Sequence, residues 1–185
     1  MTPSDFKTRL AVQKIHAGEI IAYPTEAVYG LGCDPLNEEA VLKLLKLKNR
    51  SVDKGLILIA SSLTQLEPYL QLTDTIVSRV QATWPGPVTW IIPAQPWVPR
   101  WLTGKHGSLA VRVTAHPIAR RLCEINELPI VSTSANTSSR PPATCPWMVS
   151  KNMDDANLFI LPGKVGELKQ ATPIYNVLNH QQIRA

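Results

Sequence analysis

Short apolar runs recur along the chain and predict strands buried within a sheet. We place them at residues 20–23, 55–60, 88–92, 109–113 and 129–133, because uninterrupted apolar stretches of this length are typical of strands covered on both faces. Two further runs, at 158–161 and 174–178, predict closing strands. The second of these is expected to pair with a short strand at Ile183 through a turn at Asn179 and His180.

Polar and proline-containing positions between the runs mark helix ends. Capping side chains and first-turn prolines are typical of helix starts. They predict starts within residues 2–5, at Asn37, at Ser61 or Ser62, at Thr73 and at His116. Gly18 is expected to end the first helix. Residues 93–108 predict a long connection with its own apolar anchors, which could act as a flap.

The helix that starts at Asn37 carries an unusual residue at its end. Val41 and Leu44 belong to its apolar stripe, and Lys48 continues that stripe, whereas Lys43 points to solvent. A lysine that points inward needs a partner, and a bound anion would be one. The alternative is a lysine whose amine reaches solvent beside the negative end of the helix.

The composition predicts one globular domain. The chain has 185 residues, of which 44% are hydrophobic and 18% charged, and this length buries a core without disulfides. The cysteines and histidines show no metal-binding spacing. No apolar run approaches the length of a membrane span, so we expect a cytoplasmic protein. The net charge of +5 permits a phosphate-bearing partner, although charge alone favours a basic, solvated surface without a partner.

A polar stretch follows the first predicted strand. Pro24 lacks a backbone donor and should end that strand, and Thr25 and Glu26 come directly after it. Gly30 and Gly32 then predict a turn, or a close approach of the backbone to a ligand. Such a strand end is typical of ligand sites in open α/β sheets, although an ordinary exit from strand to loop fits as well.

A second polar stretch ends the strand at 129–133. Its hydroxyl and amide side chains could hold phosphate or carboxylate oxygens, or they could bond their own backbone in a turn. The candidates are Ser132, Thr133, Ser134 and Asn136. The cations that could converge on them are Lys48, Arg50, Lys54 and Arg112. Motifs for a nucleophilic serine, a P-loop or a dinucleotide turn do not occur. This set suits a reaction whose substrates supply the nucleophile while the protein neutralises phosphate charge.

Five stretches, in this order and spacing, resemble the YrdC-like threonylcarbamoyl-AMP synthase family in its short bacterial form. They read YPTEAVYGLGCD at 23–34, KNRSVDKGL at 48–56, WPGPVT at 84–89, LAVRV at 109–113 and VSTSAN at 131–136. The resemblance covers nearly the whole chain. It implies an α/β fold with a twisted, open mixed sheet, flanking helices and a basic concave face, in a single domain over residues 1–185. The extra C-terminal domain of the longer family form is expected to be absent.

The resemblance also implies a reaction and roles for individual residues. L-threonine, bicarbonate and ATP would give threonylcarbamoyl-AMP and pyrophosphate, for N6-threonylcarbamoyladenosine formation in tRNA. Lys48 and Arg50 would be catalytic. The implied substrate-binding residues are Thr25, Lys54, Arg112, Ser132, Ser134 and Asn136. Mg²⁺ would enter with ATP, and no tightly bound cofactor is expected. Proteins of tRNA modification would act downstream, and tRNA or another RNA could contact the basic face.

Three departures from the family pattern and two alternatives qualify this hypothesis. Ser51 and Thr114 stand where the family usually has proline, and Ser139 stands where it often has glycine. One alternative is an RNA-binding protein without catalysis, whose binding would weaken steeply with salt. The other is a different carbamoyl-adenylate activity, as in hydrogenase maturation proteins, which use carbamoyl phosphate.

Overall fold

The computed structural model describes residues 4–137, 140–153 and 155–184. The helices are α1 (Asp5–His16), α2 (Glu38–Leu47), α3 (Asp74–Gln81), α4 (Arg100–Thr103), α5 (Pro117–Asn126) and α6 (Pro146–Asn152). The strands are β1 (Ile21–Pro24), β2 (Tyr29–Gly32), β3 (Ile57–Ala60), β4 (Thr89–Pro93), β5 (Ser108–Val113), β6 (Ile130–Ser134), β7 (Phe159–Ile160), β8 (Ile174–Asn176) and β9 (Gln182–Arg184). Short 3₁₀ turns lie at Val52–Lys54 and Glu67–Tyr69.

The described strands form one mixed sheet in the order β7-β1-β2-β6-β3-β5-β4-β8-β9. The pairs β1/β7, β3/β5 and β4/β8 are parallel, and the other neighbouring strands are antiparallel. Leu58 and Ala60 of β3 pack into one apolar core, while Ile59 packs into a second core with α1 and α5. This alternation covers the central strand on both faces. The expected α/β fold with a twisted, open mixed sheet is confirmed, whereas the assignment of residues 1–185 to a single domain stays a prediction.

Most predicted helix starts are confirmed by their capping bonds. Asn37 Oδ1 accepts from Ala40 N at 3.0 Å, Thr73 Oγ1 from Ile76 N at 3.3 Å, and His116 Nδ1 from Ala119 N at 3.4 Å. These acceptors satisfy amides that the first helical turn leaves unpaired. Ser4 precedes α1 without a side-chain capping bond, and residues 2 and 3 lie outside the described part. Gly18, with φ +75°, follows the end of α1 as expected.

The prediction of a turn at Gly30 and Gly32 is wrong, because both glycines belong to β2, which pairs with β1. The ring of Tyr23 lies against them, and its hydroxyl donates to the carbonyl of Val131 at 3.1 Å. A Cβ added at Gly32 would lie 2.4 Å from that carbonyl oxygen and 2.9 Å from the ring. The glycines therefore make room for a buried tyrosine, and the turn itself lies at residues 25–28. Gly30 also lines a cavity, so the alternative, a close approach of the backbone to a ligand, stays a prediction there.

Three other segments differ from expectation or refine it. Residues 61–66 form turns that lead into the 3₁₀ turn at Glu67–Tyr69 rather than a helix, and Gln65 Oε1 accepts from the amide of Ser61. Helix α6 was not predicted. The connection at 93–108 contains α4, and its anchors are the buried Val98 and Leu102. Trp97 is half exposed at its surface. Motion of this segment stays a prediction.

Candidate active site

A cavity of about 660 Å³ lies where β2, β3, β5, β6 and the β8–β9 hairpin approach one another. Six of the predicted site residues line it: Thr25, Arg50, Lys54, Arg112, Ser132 and Ser134. A smaller cavity of about 130 Å³ shares Arg50, Lys54 and Ser134 with the first and adds Lys48 and Asn136. The fold therefore brings together the eight residues that the resemblance assigns to the site, and Thr133, the ninth candidate, lines both cavities.

Lys48 lies at the C-terminal end of α2 and is buried, as its place on the apolar stripe predicted. Its Nζ donates to the backbone carbonyl oxygen of Ser134 and, at 2.6 Å, to that of Asn136. Lys43 of the same helix is exposed. The predicted inward direction of Lys48 is thus confirmed, and its amine holds the loop that follows β6.

The positive charge of Lys48 has no acidic partner in the part of the chain that the structure describes. Burial, together with the neighbouring Arg50, lowers the pKa of Lys48 from 10.5 to about 8. Burial also lowers the pKa of Arg50. An anion between these groups would relieve the cost of holding two cations out of water.

Arg50 and Lys54 bracket a short loop that turns back toward β3. Arg50 Nη2 donates to the carbonyl of Gly55 at 2.9 Å. Ser51, where the family usually has proline, accepts from Asp53 N at 3.2 Å and starts the 3₁₀ turn that ends at Lys54. The Ser51 hydroxyl caps this turn and so orders the loop, as the rigid ring of a proline would at the same position.

The end of β6 bonds mainly to its own loop. Ser134 Oγ donates to Asn136 Oδ1 at 2.6 Å, and Asn136 Nδ2 donates to the carbonyl of Arg140 at 2.7 Å. The alternative of hydroxyls that bond their own turn is therefore realised at Ser134, although this residue also lines both cavities. Ser139, the third departure from the family pattern, lies outside the described residues.

Arg112 reaches the large cavity from β5 and is 4% exposed. Its Nη2 lies 3.2 Å from Glu26 Oε2, in an ion pair. Its Nη1 donates to Thr172 Oγ1 at 2.9 Å and to Thr89 Oγ1 at 3.2 Å. This arginine thus faces the cavity rather than solvent, and side chains from three parts of the chain hold its guanidinium.

Thr25 follows β1 at the cavity wall. Its Oγ1 donates to the carbonyl of Val28 at 2.7 Å, and its amide donates to the same oxygen at 3.0 Å. The hydroxyl proton is thus committed to the turn, which leaves the oxygen lone pairs as acceptors for a ligand donor such as an ammonium group.

Thr172 and Arg184 line the cavity, but the sequence argument did not select them. Arg184 Nη2 donates to the carbonyl of Thr172 at 2.6 Å. Burial, then Arg112 and Arg50, lower the pKa of Arg184. Arg184 could have been found from the sequence, because it lies beside Ile183 in a predicted strand, just as Arg112 lies within one. Thr172 carried no comparable signal.

Together the fold and the cavity define an α/β protein with a ligand site rich in cations and hydroxyls. The chain matches the model of the Sua5/YciO/YrdC family, described as telomere recombination, over residues 13–185. It belongs to this family. Over 182 residues it is 49% identical to the threonylcarbamoyl-AMP synthase of Methylococcus capsulatus, with 98% of each chain covered. Over 185 residues it is 46% identical to that of Nitrosococcus oceani, with 100% of each covered.

Solved structures resemble this fold closely. Sua5 of P. abyssi in complex with L-threonine superposes with a TM-score of 0.87 at 34% identity, covering 94% of this chain and 51% of that one. The present chain thus spans about half of that protein. YciO of E. coli gives a TM-score of 0.84 at 22% identity, covering 100% of this chain and 95% of that one. The second likeness shows the fold alone.

Proposed function

We propose that the chain is an L-threonylcarbamoyladenylate synthase, a nucleotidyltransferase that joins L-threonine, bicarbonate and ATP. The full-length relatives named for this product support the proposal, as does the threonine complex of a relative. The observation that carries it within the structure is the meeting of Lys48, Arg50 and Lys54 beside the cavity that holds Arg112. Such a site suits anionic substrates that bring their own nucleophile.

The chemistry has two steps, each with a nucleophile from a substrate. Bicarbonate loses hydroxide to give carbon dioxide, and the amine of threonine attacks its carbon. A new N–C bond forms, and the proton that the nitrogen loses combines with the hydroxide to give water, leaving a carbamate. A carbamate oxygen then attacks the α-phosphorus of ATP. The new P–O bond forms as the bond from the α-phosphorus to the bridging oxygen breaks, and pyrophosphate leaves with the electron pair.

The residues would act by holding charge and geometry. Lys48 and Arg50 are the proposed catalytic cations, which offset the charge that grows on the phosphoryl oxygens. The proposed substrate-binding residues are Thr25, Lys54, Arg112, Ser132, Ser134 and Asn136. We add Thr172 and Arg184 to this set because both line the same cavity. Mg²⁺ would enter with ATP, since phosphate oxygens are ligands that this ion prefers.

The product would feed N6-threonylcarbamoyladenosine formation in tRNA. The proposed downstream partners are proteins of that modification, and the basic face would offer a surface to tRNA. The proposed location is the cytoplasm. Among the helices of the described residues, none is long and apolar enough to cross a membrane.

Pyrophosphate release tests the proposal. Purified protein is supplied with ATP, Mg²⁺, bicarbonate and L-threonine, and each is then omitted in turn. We expect release only from the complete mixture, and less when L-serine replaces threonine. No release from folded protein would contradict the proposal. Carbamoyl phosphate in place of threonine and bicarbonate tests the other carbamoyl-adenylate activity. RNA binding that weakens steeply with salt, in a protein without turnover, would favour the alternative of an RNA-binding protein without catalysis.

A further inference from the structure

Glu26 lies directly behind the cavity wall without lining it. Its side chain is 10% exposed, and its neighbour Thr25 faces the cavity. One carboxylate oxygen, Oε1, accepts from Thr114 Oγ1 at 2.6 Å. The other, Oε2, lies 3.2 Å from Nη2 of Arg112. The carboxylate therefore bridges a buried hydroxyl and a cavity-facing guanidinium.

The guanidinium of Arg112 is held from two directions. Nη1 donates to the hydroxyls of Thr89 and Thr172, and Nη2 pairs with Glu26. The contact between Nη2 and Glu26 Oε2 is an ion pair rather than a hydrogen bond, so the N–H groups of Nη2 remain for an oxygen in the cavity. Because the guanidinium is planar, the two threonine bonds set its plane, and the carboxylate oxygen 3.2 Å from Nη2 keeps that plane from shifting into the cavity. Without Glu26 the buried cation would also lose its acidic partner.

The position of Glu26 is fixed by more than its side chain. Leu168 N donates to the Glu26 carbonyl at 3.2 Å, and Gly166 N donates to the carbonyl of Thr25 at 2.9 Å. A Cβ added at Gly166 would lie 2.5 Å from the Glu26 carbonyl oxygen. On the far side of the carboxylate, Thr114 Oγ1 also accepts from the amide of His116 at 3.1 Å. The carboxylate thus has fixed support on both sides.

We propose that Glu26 is a positioning residue, which orients the guanidinium of Arg112 toward an anionic substrate group. The shared chemistry of that group is an anionic oxygen, of either the carboxylate of threonine or a phosphate of ATP, to which Nη2 can donate. Glu26 acts through Arg112 and does not touch the substrate. The identity of the substrates rests on the proposed function.

Substitution by glutamine separates orientation from charge. In Glu26→Gln the amide oxygen can still accept from Arg112, and the amide NH₂ can donate to Thr114, whose hydroxyl turns to accept. Orientation is then kept and the negative charge is lost. Glu26→Ala loses both. Thr114→Val removes the hydroxyl that holds Oε1 and keeps the volume of the side chain. Glu124→Gln is the matched control, because Glu124 forms exposed ion pairs with Arg120 and Arg121.

Two readouts test the proposal in the full-length chain. The first is KM for L-threonine and for ATP, with kcat, from pyrophosphate release. We expect Glu26→Ala to raise one of these KM values about tenfold or more and to leave the other nearly unchanged, because a misplaced binding group weakens only its own contact. The KM that rises identifies the group that Arg112 holds. Glu26→Gln should restore most of the loss, Thr114→Val should raise the same KM severalfold, and Glu124→Gln should match the unmodified protein.

The second readout does not depend on activity. ¹⁵N NMR of the Arg112 guanidinium should show distinct, slowly exchanging Nη signals in the unmodified chain and in Glu26→Gln, and averaged signals in Glu26→Ala. A chain without turnover that keeps this NMR pattern would contradict the proposed function alone. A folded Glu26→Ala variant with unchanged KM values, or Glu26→Gln as impaired as Glu26→Ala, would overturn the positioning role. If Glu26→Ala does not fold, Thr114→Val decides the question: unchanged KM values and unchanged Arg112 NMR signals in that variant would overturn the positioning role.

Discussion

Arg112 and Lys48 both bring a buried cation to the candidate site, but their surroundings differ. Arg112 is paired with the carboxylate of Glu26 and with threonine hydroxyls. Lys48 meets the carbonyl oxygens of Ser134 and Asn136, which carry only partial charge. A buried cation beside a carboxylate is neutralised and fixed, whereas one beside carbonyls keeps its charge at a cost.

The difference indicates a division of labour within the site. The Arg112 side resembles a preorganised clamp, whose charge is already balanced before a ligand arrives. On the Lys48 side, burial and then the neighbouring Arg50 lower the pKa of Lys48 to about 8. An anion with several negative charges, such as the triphosphate of ATP, would balance the cations on this side.

Removal of the Lys48 amine should have the largest effect. We expect Lys48→Ala to lower kcat/KM for ATP by about 100-fold or more, because the cation proposed to offset the charge that grows on the phosphate is lost. Lys43→Ala, on the exposed side of the same helix, is the matched control and should turn over normally. Circular dichroism checks that both variants fold. Normal turnover in Lys48→Ala would refute the role of this lysine.

The lowered pKa of Lys48 predicts a pH effect of intermediate size. Below pH 8 the amine is charged and attracts phosphate, and above it the amine becomes neutral. The KM for ATP should therefore rise with pH above about 8, approaching about tenfold per pH unit for one proton. In Lys48→Arg the guanidinium stays charged, so this dependence should disappear. Identical pH profiles for the two proteins would show that another group governs the effect.

Packing against the Glu26 turn should give the smallest effect. In Gly166→Ala the added methyl group would contact the Glu26 carbonyl, which should lower the free energy of unfolding by about 1–3 kcal/mol. Thermal unfolding measures this change. Gly107→Ala is the control, since a Cβ there meets nothing within 4 Å. Equal melting temperatures for the two variants would mean that the segment at Gly166 moves away without cost.

The two sides of the site also differ in what could be predicted from the sequence. The inward direction of Lys48 followed from helical periodicity, which is a local property of a few turns. The pairing of Glu26 with Arg112 depends on which strands neighbour one another, and a local pattern carries no such information. The hydroxyls of Thr89 and Thr172 accept from Nη1 of Arg112. Both residues are also far from Arg112 in the sequence, so a local pattern could not identify them.

Strand β2 shows a further limit of prediction from the sequence. Gly30 and Gly32 predicted a turn because glycine is typical of turns. The structure uses them instead to make room for the ring of Tyr23, which lies against both glycines and reaches Val131 of β6, and only the position of that ring distinguishes the two uses. Capping residues such as Asn37 and Thr73 were predictable, since the bond that each accepts lies within its own helix.

Product analysis with labelled bicarbonate tests the central claim most directly. The purified chain is incubated with ATP, Mg²⁺, L-threonine and ¹³C-bicarbonate, and the nucleotides are identified by mass spectrometry. The proposed chemistry predicts an adenylate that contains threonine and the labelled carbon, formed in step with pyrophosphate. AMP and pyrophosphate without a labelled adenylate, or an adenylate of threonine without the added carbon, would contradict it.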